Sequence, residues 1–143
     1  MTANSPAIPI GRLQVTRRLM NDALAMAMVN DYEEHIPKLT LPDPNDRHVV
    51  AAAITTKASL ILTWNLRHFP ENELKKFGLR KMTPDTFLCS LFDKVPDLAL
   101  GSLANARRNL SKTRASASDF IRILESQKLV QLAKLVGKHV SNL

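Results

Sequence analysis

Asp43 and Asp46 sit three residues apart in the run Leu-Pro-Asp-Pro-Asn-Asp, and Asn65 follows further along the chain. Hard oxygen donors brought close together suit Mg²⁺ or Mn²⁺, ions that need few protein ligands and keep several waters. Thr63, Arg67 and His68 share the loop of Asn65 and are placed to meet a phosphate. The same residues also admit plainer roles. Asp43 can be a helix N-cap, Asp46 a first-turn acid favoured by the helix dipole, and Asn65 a turn residue. Their spacing leaves both readings open.

Other chemistries find less support. His35, His48, His68 and His139 lack an H-x-x-x-H spacing, so surface or cap roles suit them better. The four glycines are isolated, which excludes a glycine-rich phosphate loop, and no nucleophile-elbow motif supports a Ser-His-Asp triad. The lone Cys89 excludes an internal disulfide and a multi-cysteine zinc site, and fits a reducing cytoplasm. On an apolar helix it reads as a small buried hydrophobe. Met20, Met26 and Met28 read as helix packing.

The candidate residues need elements to position them. Asp43 followed by Pro44 predicts a helix start, with the helix running through Val49, Val50, Ala53 and Ile54 to about Lys57. Leu60 to Thr63 is a short apolar run without alternation, expected for a strand buried on both faces. In an α/β unit the helix start and the strand end share one sheet edge, where open sheets bind ligands. That geometry is what would bring Asp43, Asp46 and Asn65 together. A helix over Glu71–Phe77 closed by Gly78, a strand over Leu79–Met82 and a helix from Thr83-Pro84-Asp85 to about Leu91 follow. Upstream, apolar residues from Arg12 to about Val29 recur at helical spacing. Asp31 to His35 add a possible turn, and the prolines at 37, 42 and 44 exclude helix interior. Helices are expected again from Pro96 to about Leu110, after a Ser118-Asp119 cap with Phe120, Ile121, Ile123 and Leu124 inward, and from about Leu129 to Val136. The expected fold class is α/β, helix-dominated, with about two parallel strands, which is narrow for a parallel sheet.

The chain has 143 residues, 45% hydrophobic and 23% charged, an ordinary globular balance that argues against wholesale disorder. Its longest apolar run, Ala23 to Val29, is too short to cross a bilayer, so no membrane role is expected. The net charge of +7 is concentrated at one end: residues 101–143 hold eight Lys/Arg against Asp119 and Glu125. Arg107, Arg108 and Lys112 are candidate phosphate contacts in that basic region, which suits RNA or an acidic partner.

The run LPDPNDRHVVAAAITTKASLILTWNLRHFPENELKKFGLRKMTPDTFL resembles the second half of a PIN domain. Helix cap, alanine-rich helix, short strand, T-x-N-x-x-H-F-P loop and a P-D-x-F-L segment occur in the family's order. The resemblance implies an α/β/α nuclease, often the ribonuclease toxin of a toxin–antitoxin pair, using Mg²⁺ or Mn²⁺ on clustered acids. It implies Asp46, Asn65 and Asp43 as metal-binding and catalytic residues, with Arg67 and His68 near the RNA; His68 stands where many relatives carry Asp. A PIN domain opens with a strand ending in Asp-x-Asn and then supplies a helical Glu. Here the first acid is Asp22, so that unit is expected to be missing from this sequence.

The expected organisation is an arm over 1–11, the back part of a PIN-like domain over 12–92, and a basic helical extension packed on it over 93–143. The expected function is a PIN-like metal-dependent ribonuclease component, weak or inactive alone. The alternative is a non-catalytic module binding RNA or protein. Expected partners are RNA, a second chain supplying the missing half or an antitoxin, or another copy in a homo-oligomer.

Overall fold

The computed structural model describes residues 9–110 and 114–143. Helix α1 spans Ile10–Ala23 and is followed by single 3₁₀ turns at Ala25–Ala27 and Glu33–Lys38. A 3₁₀ turn over Pro44–Asp46 feeds helix α2, Arg47–Thr55, which leads to strand β1, Leu60–Leu62. Another 3₁₀ turn at Leu66–His68 precedes α3, Glu71–Lys75, and strand β2, Arg80–Met82. Four helices follow: α4 over Pro84–Lys94, α5 over Pro96–Asn109, α6 over Ala117–Ser126 and α7 over Val130–Gly137. The chain is thus helix-dominated α/β. Its sheet is two-stranded and parallel, with Leu60, Ile61 and Leu62 opposite Arg80, Lys81 and Met82.

Local chemistry explains the boundaries. The α2 helix stops where the Thr55 and Thr56 hydroxyls donate back to the Ala51 and Ala52 carbonyls, and Lys57 takes a left-handed φ of 54°. Gly78, at φ 69°, closes the turn after α3, a conformation cheap only for glycine. Thr83 caps α4 by accepting the Thr86 N–H at 3.1 Å, with Pro84 at the first helical position.

Several expectations need correction. Only Ile61 of β1 is buried, while Leu62 is 45% exposed, because among the described residues one strand alone flanks β1 and nothing covers that face. Pro37 lies inside the 3₁₀ turn Glu33–Lys38; the shorter-range bonding there tolerates a residue that an α-helix interior would reject. The α6 cap is Ser116 rather than Ser118, since Ser116 and Asp119 form a reciprocal capping box. Helix α1 buries none of its residues. Met20 and Met26 are exposed rather than packed, at 64% and 99%.

The core is divided. Leu39, Leu41, Val50, Ala51, Ile61, Phe69, Leu74 and Leu79 form one cluster, made by α2, β1, α3, the loop between β1 and α3, the residue before β2 and the segment before Asp43. Phe92, Leu100, Leu132 and Val136 form a second, joining α4, α5 and α7, and Phe120, Leu124 and Ala133 a third between α6 and α7. The α/β unit and the helical unit therefore each bury apolar surface of their own. Among the described residues, no helix is long and apolar enough to cross a membrane.

Candidate metal centre

The site starts from a proline-flanked turn. The Asp43 side chain accepts the Asn45 N–H at 2.9 Å and so opens the Pro44–Asp46 turn, while His48 Nδ1 donates to the Asn45 carbonyl at 2.6 Å. These bonds fix both acids at the entry to α2. The segment leading into them is pinned from behind: Glu73, 4% exposed, accepts the Thr40 N–H at 3.1 Å and an ammonium hydrogen bond from Lys76. The Lys76 bond first, and the Thr40 bond second, hold the Glu73 carboxyl below the usual glutamate range.

The opposing wall is the loop after β1. Thr63 N–H donates to the Met82 carbonyl at 3.0 Å, and the Asn65 N–H donates to Thr63 Oγ1 at 3.0 Å. The Asn65 carbonyl accepts the His68 N–H at 3.1 Å, and Lys81 Nζ from β2 donates to the Leu66 carbonyl at 2.8 Å. Phe69, 3% exposed, anchors the end of the loop in the core. With loop and turn both held, His68 Nδ1 lies 2.6 Å from Asp46 Oδ2.

Asp43, Asp46 and His68 thus come together, each half-buried, with ligand atoms all within 4.8 Å of one another. Two carboxylates and an imidazole, each half-buried, are donor types that a divalent cation accepts. Of the residues singled out from sequence, Asp43 and Asp46 converge. Asn65 has an exposed side chain, and the bonds just described are made through its backbone. Arg67 is exposed on the same turn. Spacing alone does not bring His68 to the acids, because spacing rules compare donors on one element. Its partner Asp46 is 22 residues away. The signal that could have found it is the position itself, three residues beyond Asn65 and opposite the same helix start.

The basic candidates lie in the helical unit. Half-buried Arg107 donates from Nη1 to the Ala115 carbonyl at 3.2 Å, tying α5 to the approach to α6. Arg108 is exposed and hydrogen-bonds Asn105, and these two arginines line a shallow cleft with Arg114. Lys112 lies outside the described residues.

Asp85, from the P-D-x-F-L segment, is 5% exposed and accepts the N–H groups of Gln131 and Leu132 at 3.0 and 2.9 Å. It caps the start of α7 from a different helix, supplying acceptors that α7 lacks locally. Cys89 is half-buried beside it; burial first, and the Asp85 and Asp93 charges next, push its thiol pKa up.

Two likenesses to known proteins extend this picture. The family described as the VapC50 C-terminal domain matches residues 84–138, which runs from the first residue of α4 to just beyond α7. Over 73 residues the chain is 40% identical to the protein named "Putative ribonuclease VapC50" of Mycobacterium tuberculosis (strain ATCC 25618 / H37Rv), a stretch covering 51% of this chain and 36% of that protein. The chain therefore spans little more than a third of that relative's length. No solved structure matches the chain significantly. These likenesses, each to part of a protein, support a resemblance of the chain to part of a PIN/VapC toxin-type protein.

Proposed function

We propose that the chain is a component of a metal-dependent endoribonuclease of the toxin–antitoxin kind, acting in the cytoplasm. The observation that carries this reading is the convergence of Asp43, Asp46 and His68 at the end of the strand. Asp43 and Asp46 would hold Mg²⁺ or Mn²⁺, with Asn65 at the rim. The bound cation supplies an activated water and charge neutralisation for the phosphodiester. Asp46, half-buried and fixed by the α2 entry, orients the site; exposed Arg67 offers a charge to the RNA backbone.

Three donors make a thin site for phosphodiester hydrolysis, and the β1 edge opposite β2 has no strand among the described residues. The chain then works weakly alone, and a segment bringing a further strand and acid would complete it. The test is RNA cleavage by the full chain with Mg²⁺ or Mn²⁺, with and without EDTA. Weak cleavage abolished by EDTA and by Asp46→Asn is expected; cleavage that survives both overturns the metal-dependent reading.

The arginine-lined cleft favours a second role in RNA binding without cleavage. Affinity for a short RNA would fall steeply with salt, and Arg108→Ala would flatten that dependence. Affinity indifferent to salt excludes it.

A further inference from the structure

We infer that the arginine cleft of the helical unit takes the terminal phosphate monoester of an RNA strand, an inference that rests on the RNA-binding reading above. Arg107 and Arg108 stand in the last turn of α5. Arg114 follows, and its N–H donates to the Leu110 carbonyl at 3.2 Å, which brings it back beside the helix end. With Leu110 and Ala115 these three arginines line a cleft of about 210 Å³ that no carboxylate and no aromatic ring enters among the described residues. None of the three guanidiniums makes an ion pair among the described residues. Arg107 is anchored through the Ala115 carbonyl, yet its buried Nε has no hydrogen-bond partner. A half-buried positive charge without an acid opposite it is costly, and an entering anion would offset it.

Charge and size select the anion. A phosphate monoester carries about −1.5 to −2 charges at neutral pH and three free oxygens. An internal phosphodiester offers a single charge and two free oxygens, and a strand of them is met by cations spread along a groove. Guanidiniums grip phosphate oxygens in bidentate pairs, so three of them around one small cleft match the monoester better. The cleft is also smaller than the about 300–1,000 Å³ of sites that enclose a drug-sized ligand, so a head group enters and the base stays outside. With no ring to stack on, the base adds little. An RNA end is favoured over a phosphorylated peptide because residues 101–143 hold eight Lys/Arg against Asp119 and Glu125, which attracts the rest of a polyanion.

The experiment measures binding by the full chain in EDTA, which keeps the RNA intact. One short single-stranded RNA, labelled with fluorescein at an internal base, is made with a 5′-phosphate, with a 3′-phosphate and with hydroxyls at both ends, and anisotropy gives each affinity across a salt series. The chains are the wild type, Arg108→Ala, Arg114→Ala and, as a charge control away from the cleft, Lys134→Ala; all four positions are exposed or wild type, and circular dichroism confirms folding. A terminal phosphate is expected to tighten binding by about tenfold or more, and the arm that gains shows which end is held. Arg108→Ala and Arg114→Ala should each erase most of that gain, whereas Lys134→Ala should weaken all three RNAs alike and leave it intact. Equal affinity for the three RNAs, still falling with salt, overturns the inference and leaves the RNA-binding reading standing. A gain retained in both arginine variants overturns the assignment to this cleft. A phosphoserine peptide bound as tightly as the phosphorylated RNA overturns the assignment to an RNA end. Affinity for all three RNAs that is indifferent to salt overturns both readings.

Discussion

Asp46 and Asp85 are both helix-start acids preceded by proline chemistry, yet the structure uses them differently. Asp46 is half-buried and faces an imidazole from another element, whereas Asp85 is buried and spends both oxygens on backbone N–H groups. Truncating Asp85 would leave two N–H groups at the start of α7 without this acceptor, that of Leu132 in the interior. Asp85→Ala is accordingly expected to destabilise the fold by about 2–4 kcal/mol, read by urea unfolding, without changing cation binding. A loss of cation affinity equal to that of Asp46→Asn would contradict this separation. The two acids could not be told apart from their flanking residues, because burial depends on what packs over them: for Asp85 that is α7, 46 residues away. Cys89 shows the same limit. An apolar helix promised a buried thiol; the structure leaves it half-buried with its pKa raised by burial and nearby carboxylates. Alkylation at neutral pH should be slower than for a free thiol, and faster reaction than the unfolded chain would refute it.

At the scale of elements, local signals carried far. The proline-led starts of the Pro44 turn and of α4, the Gly78 closure and the two strands all sit where cap chemistry and apolar runs place them. The α6 cap moved by two residues because Ser116 and Ser118 are both good caps. Only the reciprocal bond to Asp119 chooses between them. Ser116→Ala should cost about 0.5–2 kcal/mol, and Ser118→Ala much less, in parallel thermal melts. The Ser116 bonds also hold the Asp119 carboxyl below its usual range, as Lys76 and Thr40 do for Glu73. A carboxyl lowered in the folded state stabilises fully above its unfolded pKa. That contribution fades as pH falls from there through the folded value. Glu73→Gln should therefore lower the melting temperature most at neutral pH and least in acid. A difference that grows with acidity would show the assignment to be wrong.

Across the whole molecule, the separation of the cores is the dominant fact. The α/β unit is built on Leu39 to Leu79, and the helical unit on α4 to α7, with the family match beginning at residue 84. The single tryptophan, Trp64, reports the first unit, while most helix belongs to the second. Fluorescence and far-ultraviolet circular dichroism should thus give distinct denaturation midpoints; coincident curves would mean one cooperative unit. Helix α1 was legible as a helix from its periodicity, but not as an uncovered one. Apolar spacing records which face is able to be buried, and only the presence of a partner surface buries it. Caps, prolines and apolar runs belong to neighbouring residues, so element order, the parallel pair and the Asp43/Asp46 start were settled by sequence alone. The imidazole against Asp46, the tertiary cap by Asp85 and the half-bare β1 arise from groups brought together across tens of residues. Their pairing depends on how the chain closes in space, which local spacing does not encode.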